Sequence, residues 1–165
     1  MAIYIIITVL VGVMGLVISI NASVSMSASK LIAANLAQEG IEVVKNIRDL
    51  NFGANGWDDW YAEFSGRTCY YLQYDSSNLD RSIPSCDSDA PVLQYNLATG
   101  LYGYNGYNGY DSGVNTPFVY KRKIILTKNP SGVNDNEIKV EAVVSWVEHN
   151  RPQTLTVEDR LWNWR

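Results

Sequence analysis

The first 29 positions of the chain form an uncharged, largely apolar segment. The first charged side chain is Lys30, and the first twenty positions are almost continuously apolar. About twenty apolar residues in an α-helix span roughly 30 Å, the thickness of the hydrocarbon core of a bilayer. We therefore expect residues 1–29 to lie in lipid or to be buried by other copies of the same segment. The side chains expected to form this assembly surface are Met1, Ile3, Ile6, Ile7, Leu10, Val13, Met14 and Val17.

A second helical pattern follows directly, from residue 30 to about residue 52. Apolar residues recur there at steps of three and four, and the charged residues fall mostly off that stripe, which is typical of an amphipathic helix with one buried face. The stripe consists of Ala33, Leu36, Ala37, Gly40, Ile41, Val43, Val44, Ile47 and Leu50. We expect four of them to pack on a sheet: Leu36, Gly40, Val43 and Ile47.

The two patterns together predict one helix of about fifty residues, which is roughly 75 Å long if unbroken. Asn51-Phe52-Gly53 is expected to end it, with the glycine in a positive-φ exit. Gly12, Gly15 and the Ser/Asn-rich middle are the expected places for a bend. Lys45 is spaced to pair with Glu42 and with Asp49 along the helix.

The remainder of the chain is rich in turn and strand signals. Alternation of apolar and polar residues predicts strands at 68–75, 92–96, 118–128, 137–148 and 153–164. The tract LYGYNGYNGYDSG is a Tyr-Asn-Gly repeat and predicts a loop. Antiparallel strands with one apolar face need a cover, so the sequence predicts an α+β fold in which the helix packs on a small antiparallel sheet.

Three regions follow from these patterns. Residues 1–29 are expected to form a hydrophobic helix for lipid or for burial among other copies, residues 30–52 its amphipathic continuation, and residues 53–165 a β-rich head domain. No Lys or Arg precedes the apolar run, unlike a secretory signal peptide. We expect a short basic leader to have been removed ahead of Met1.

The two cysteines, Cys69 and Cys86, have sixteen residues between them. An even number of cysteines in a chain that enters a membrane favours a disulfide, worth about 3 kcal/mol by loop closure. Two buried free thiols are the alternative.

Composition argues against a nucleic-acid partner. The chain has 13 Lys and Arg against 17 Asp and Glu, for a net charge of −4. It therefore has no strongly basic face for a phosphate backbone.

Three segments carry a resemblance to a known family. ANLAQEGIEVVKNIRD resembles the helix of the type IV pilin-like family, which includes the pilins of type IV pili and the pseudopilins of type II secretion, and in particular of members from poorly cultured bacterial lineages. TPFVYKRKIILT and VEAVVSWVEHNRPQTLTVEDRLWNWR resemble the closing strands of the same proteins. Together these segments cover about a third of the chain.

The resemblance implies a structural protein rather than an enzyme. A prepilin peptidase removes only the leader, the subunit waits in the cytoplasmic membrane, and pilus assembly machinery then moves its helix from lipid into the core of an extracellular filament of identical subunits. Many pilins begin with Phe and carry Glu at the fifth mature position, whereas these positions are Met1 and Ile5 here. The open alternatives are a minor pilin or pseudopilin, and an anchored surface module that binds carbohydrate.

Few residues offer other chemistry. The single histidine, His149, falls in a predicted hairpin turn, and no catalytic arrangement surrounds it. Tyr102, Tyr104, Tyr107 and Tyr110 form either an adhesive surface loop or a loop folded onto its own sheet or the next subunit. No cofactor is expected, apart from a weak candidate for Ca²⁺ among the oxygen-rich loops that carry Asp75, Asp80, Asp87 and Asp89.

The other aromatic and basic groups are expected to serve packing and solvation. The five tryptophans are expected to pack in the core: Trp57, Trp60, Trp146, Trp162 and Trp164. The run Lys121-Arg122-Lys123 predicts a solvated strand edge or half of an intersubunit charge contact.

Overall fold

The computed structural model describes residues 1–54, 66–77, 79, 82–83, 85–96, 99–104, 119–128 and 137–163, with the backbone alone at residue 22 and residues 51–54. The chain divides into two compact units. The first is Met1–Ile32 and the second Ala33–Arg165. The first unit thus ends at Ile32, three residues beyond Ser29, where the uncharged segment ends in the sequence.

Helix α1 extends over Ala2–Ala54 and is helical at every residue. Gly12, Gly15 and the Ser/Asn-rich middle all lie within the helical span, and the bend expected there stays a prediction. The helix also continues through the predicted terminator at residues 51–53 and ends at Ala54.

Within the described residues of the second unit, seven antiparallel strands form one curled sheet. Their bounds are β1 Arg67–Tyr70, β2 Ser82–Ile83, β3 Val92–Asn96, β4 Leu101–Tyr104, β5 Tyr120–Lys128, β6 Glu137–Glu148 and β7 Arg151–Trp162. Strand β5 is the centre of the sheet: β6 pairs along one side of it, and β1 and β3 pair with different parts of the other side. Strand β7 lies beyond β6, β2 beyond β1 and β4 beyond β3. The α+β fold expected from the sequence is confirmed.

The hairpin of β6 and β7 is the longest paired element. Its register begins with Glu148 opposite Arg151 and ends with Glu137 opposite Trp162. His149 and Asn150 connect the strands with φ angles of 48° and 61°, the positive values that a two-residue loop of type I′ requires. His149 is exposed in this turn, as expected.

Several strand boundaries differ from the predictions. Strand β1 ends at Tyr70, although Leu72 and Gln73 beyond it are buried. Strand β7 begins at Arg151 and includes Pro152, which the sequence had assigned to the turn. Proline is tolerated there because β7 is an edge strand, whose outward amide groups need no partner in the sheet. Strands β2 and β4 were not predicted.

The main core lies between the second half of α1 and one face of the sheet. Ala33, Leu36, Ala37, Gly40, Ile41, Val43, Val44 and Ile47 are buried on the helix side. Alternate residues of β6 are buried opposite them: Ile138, Val140, Ala142, Val144 and Trp146. Leu50, the last member of the predicted stripe, is instead 54% exposed.

A smaller cluster covers part of the opposite face of the sheet. Cys69, Ile83, Ala90 and Ile125 form its buried centre, with Tyr71, Cys86 and Val143 packed against them. The predicted disulfide between Cys69 and Cys86 is present, with 5.3 Å between the two Cα atoms. Lys123 Nζ donates a hydrogen bond to the Cys86 carbonyl, and Lys121 Nζ lies 2.7 Å from Asp89 Oδ2. The disulfide and two lysines of β5 thus hold residues 85–89 on this face.

Candidate assembly surface: the apolar helix

The N-terminal part of α1 exposes apolar side chains around its whole circumference. Apart from the undescribed side chain of residue 22 and a half-buried Ser25, every side chain from Met1 to Ala28 is exposed. The eight residues predicted for assembly are 48% to 106% exposed. Equally exposed are large apolar residues outside that set, including Tyr4, Ile5, Val9, Val11, Leu16, Ile18 and Ile20. Exposure in a single copy therefore does not distinguish the predicted set from these neighbours, and the set stays a prediction.

A helix that is apolar all round is stable only when it is surrounded by other apolar groups. In water, so large an exposed apolar patch marks a membrane or protein interaction site. Within the described residues, α1 is the one helix long and apolar enough to cross a membrane, over Ala2–Leu50. It is therefore a candidate membrane anchor or signal sequence.

Three hydroxyl side chains in this segment bond to carbonyls of their own helix. The Thr8 hydroxyl donates to the carbonyls of Tyr4 and Ile5, at 3.2 Å and 2.9 Å. Ser27 and Ser29 each donate to the carbonyl four residues earlier, both at 2.9 Å. Because a buried hydroxyl without a partner costs free energy in hydrocarbon, these local bonds reduce the cost of burying the segment in lipid or among other helices.

The second half of α1 is fixed to the sheet by a buried arginine. Arg122 of β5 is fully buried, and its guanidinium donates to the carbonyls of Leu36 and Leu72, at 2.8 Å and 2.6 Å, and to Glu39 Oε1 at 2.9 Å. The expectation of a solvated basic run is therefore wrong for Arg122. Strand alternation turns Lys121 and Lys123 to the opposite face and directs Arg122 towards the helix.

Gly40 makes room for this arginine. A Cβ atom at Gly40 would lie 2.5 Å from Ile124 Cδ1 and 3.3 Å from Arg122 Cδ. The glycine therefore permits a closer approach of α1 to β5 than any side chain would allow. Gly40 is one of the four residues predicted for helix–sheet packing.

The pairs expected along the helix at Lys45 are replaced by pairs with other partners. Lys45 Nζ lies 2.5 Å from Asp159 Oδ2 of β7, and Arg48 pairs with Asp49 at 2.7 Å. The hydrogen bond from Lys45 lowers the pKa of Asp159 below its usual value. Ion pairs three or four residues apart on a helix contribute only a few tenths of a kcal/mol. A carboxylate on a strand packed against the helix can therefore replace them as the partner of Lys45.

The tyrosines of the repeat do not form a single surface loop. Tyr102 and Tyr104 belong to strand β4, and Tyr104 is buried, with its hydroxyl donating to the Arg122 carbonyl at 3.2 Å. Burial raises the pKa of Tyr104 and also that of the half-buried Tyr102. Tyr104 is thus part of the core and is not available as an adhesive group. Tyr107 and Tyr110 lie outside the described residues.

The remaining predicted groups are dispersed. Trp146 is buried with its ring centroid 6.0 Å from that of Tyr120, but Trp162 is 49% exposed and so is not a core residue. Trp57, Trp60, Trp164 and Asp80 lie outside the described residues. Among those described, no three His, Cys, Asp or Glu side chains converge as metal ligands, and Asp75 instead accepts a hydrogen bond from Gln73 at 2.7 Å.

Comparison with known proteins adds no assignment. No protein-family model, curated protein or solved structure matches the chain.

Proposed function

We propose that this protein is a structural subunit of an extracellular filament of the type IV pilus class. Its N-terminal helix anchors the subunit in the cytoplasmic membrane before assembly and becomes part of the filament core afterwards. The partners are other copies of the same chain, a prepilin peptidase and an assembly machine. The subunit performs no catalysis and binds no nucleic acid.

One observation carries the proposal: an uncharged helix of more than 25 residues exposes apolar side chains on every side. Lipid tails and packed aliphatic side chains are similarly apolar environments. A helix of this kind is therefore stable both in a bilayer and in a bundle of identical helices, and transfer between them costs little hydrophobic free energy.

The continuity of α1 supports a structural role. The same helix that is apolar over residues 1–29 continues into the half that packs on the sheet, without a non-helical residue. Two helix–sheet contacts, Arg122 with Glu39 and Lys45 with Asp159, are ionic and lie within the second unit. A subunit built in this way carries its head domain on the element that polymerises.

Two valines with similar exposure give a direct test. Val17 lies in the apolar helix and is 48% exposed, whereas Val147 lies in β6 and is 57% exposed. The cost of Asp at the centre of a membrane helix is about 2.5–3.5 kcal/mol. We therefore expect Val17→Asp to reduce the yield of sedimentable surface filaments at least tenfold, while Val147→Asp leaves it near the wild-type level.

The assay uses the full chain, produced in a host with a type IV assembly system, with the Cys69–Cys86 disulfide on a non-reducing gel as the check for folding. Equal effects of the two variants would contradict the proposal, since both valines would then face the same solvent.

A minor pilin would cap or initiate fibres made mostly of another protein. An anchored carbohydrate-binding module would yield no fibres and would retain sugar binding after residues 1–29 are deleted.

A further inference from the structure

Strand β7 is a long open edge of the sheet. Among the described residues it pairs only with β6, and the register is continuous over the whole of Arg151–Trp162. Along an antiparallel ladder, residues alternate between those that exchange hydrogen bonds with the partner strand and those whose backbone groups point away from it. An edge of this kind is a template for pairing with another strand.

The hairpin turn determines which backbone groups of β7 point outward. His149 and Asn150 form a two-residue loop with positive φ angles, and the residues that flank such a loop, Glu148 and Arg151, exchange both hydrogen bonds. The odd-numbered residues of β7 therefore bond to β6, and the even-numbered residues direct their N–H and C=O groups outward. In agreement with this alternation, the backbone N–H of Arg160 donates to its neighbour's side chain rather than to β6.

This outward edge is blocked at two positions and open between them. Pro152 has no N–H group, and the N–H of Arg160 donates to Asp159 Oδ1 at 2.8 Å. Between these positions the outward residues are Thr154, Thr156 and Glu158, whose side chains are exposed and whose amides have no backbone partner among the described residues. We call residues 154–158 the open edge.

The open edge is complementary to its own reversed copy. When a second β7 is placed antiparallel about a two-fold axis at Thr156, Thr154 of each copy lies opposite Glu158 of the other, and Thr156 lies opposite its own equivalent. Each such pair exchanges two hydrogen bonds. Pro152 of each copy then lies opposite Arg160 of the other, so the positions that cannot donate coincide and every free outward amide between them gains an acceptor.

The side chains on the face towards α1 favour the same register. Leu155 of each copy lies opposite Val157 of the other, and both are only half-buried in a single copy. Aliphatic cross-strand pairs stabilise a sheet. A register displaced by one pair to either side places Val157 opposite Gln153, or Leu155 opposite Asp159. In the register centred on Thr156, Asp159 lies opposite Gln153, and no two like charges lie opposite each other along residues 151–161.

We propose that two copies of this chain join edge to edge through residues 154–158, antiparallel about a two-fold axis at Thr156, so that the sheet of one head continues into the sheet of the other. The occupant of the edge is a second copy because the two blocked positions coincide when the strand pairs with its own reversed sequence. The contact is isologous and closes as a dimer. It goes beyond the proposed function, since it joins heads in pairs whether or not the apolar helix polymerises.

Cysteine substitution along the edge tests the register in the detergent-solubilised full chain. At the axis, the two Cα atoms of Thr156 should lie about 5.5 Å apart, within the range of about 4.4–6.8 Å that a disulfide requires. The two copies of Thr154 should lie about 14 Å apart along the strand. Under mild oxidation with copper phenanthroline, we therefore expect Thr156→Cys to give at least fivefold more disulfide-linked dimer than Thr154→Cys, its matched control on the same exposed face.

Hydrogen exchange of the unmodified chain tests the backbone pairing. The amides of Thr154, Thr156 and Glu158 should exchange at least tenfold more slowly at high protein concentration than after dilution, because only the dimer gives them acceptors. Thr156→Pro removes the central outward donor and should abolish this concentration dependence. The amides of Leu155 and Val157 should stay protected in that variant, since they bond to β6, and their protection is the check that the hairpin remains folded.

Three results would overturn the contact. Equal yields of linked dimer from Thr156→Cys and Thr154→Cys would show random collision of chains within a micelle. Protection of the outward amides at every dilution would show that another segment of the same chain covers the edge. Fast exchange of these amides at every concentration would show that nothing covers it. None of these results depends on whether filaments form, so failure of this contact and failure of the proposed function are distinguishable.

Discussion

At the scale of single residues, the pairing of Gly40 with Arg122 determines how closely the helix approaches the sheet. Arg122 is fully buried and its guanidinium has two backbone carbonyls and Glu39 as acceptors. A buried cation is costly unless hydrogen bonds and an opposite charge compensate it; both terminal nitrogens of Arg122 are bonded in this way, while Nε is buried without a partner among the described residues. Gly40 supplies the space that this arrangement needs.

Gly40→Ala should therefore destabilise the protein. Alanine gains about 1 kcal/mol of helix propensity over glycine, but its Cβ would lie 2.5 Å from the end of Ile124, which is itself fully buried. Overpacking of a core typically costs about 1–3 kcal/mol, so we expect a net loss of about 1 kcal/mol in the free energy of unfolding. Denaturant unfolding of the detergent-solubilised full chain measures it.

Gly15→Ala is the control for this substitution. No atom lies within 4 Å of the position its Cβ would take, so the variant should be neutral or slightly stabilising. Equal responses at the two glycines would contradict a tight contact at Gly40.

The sequence could indicate some of these residues but not all of them. Gly40 lies on a clear apolar stripe, so its position on the buried face was predictable. The burial of Arg122 was not predictable, because a basic residue between two lysines is usually solvated. Its acceptors on α1 and at Leu72 are distant in sequence, so the local pattern does not indicate them. Tyr104 was misassigned because Tyr-Gly-Tyr-Asn-Gly is typical of a turn, whereas pairing with β3 makes the first part of the tract a strand.

At the scale of elements, the helices and strands with the longest regular patterns were predictable. Strand β6 was predicted with its observed bounds because apolar and polar residues alternate along it, and α1 was predicted almost to its end. Short strands such as β2 form only because a partner strand is already in place, so local sequence carries little signal for them. The exposure of Leu50 likewise depends on where the sheet stops covering α1, which periodicity does not reveal.

The contact between α1 and β7 should respond to acid. The pKa of Asp159 is lowered, chiefly by the hydrogen bond from Lys45, so the ionised form is favoured in the folded state. The stabilisation is present above the unfolded pKa, about 3.9, and is lost as pH falls through the lower folded value.

Asp159→Asn should then reduce stability by roughly 0.5 kcal/mol at pH 7, because the pair is partly exposed. The difference from the wild type should shrink at pH 3. Urea midpoints of the full chain at the two pH values measure it, with Glu42→Gln as a control that lacks an ion pair among the described residues. A difference that persists unchanged at pH 3 would show that Asp159 acts through something other than its charge.

At the scale of the whole molecule, the chain combines a helix that needs apolar surroundings with a head domain that has its own core. The head buries one face of the second half of α1 and has a disulfide. The N-terminal segment instead exposes its apolar surface in an isolated copy. In the proposed filament, other copies provide the missing surroundings.

Electron cryo-microscopy of filaments sheared from cells that produce the wild-type chain tests whether α1 polymerises. We expect a central bundle of parallel helices in which residues 1–29 of each subunit are present and enclosed by neighbouring copies, with the sheets outside. Single copies at the cell surface, or filaments whose core contains no density for residues 1–29, would contradict it.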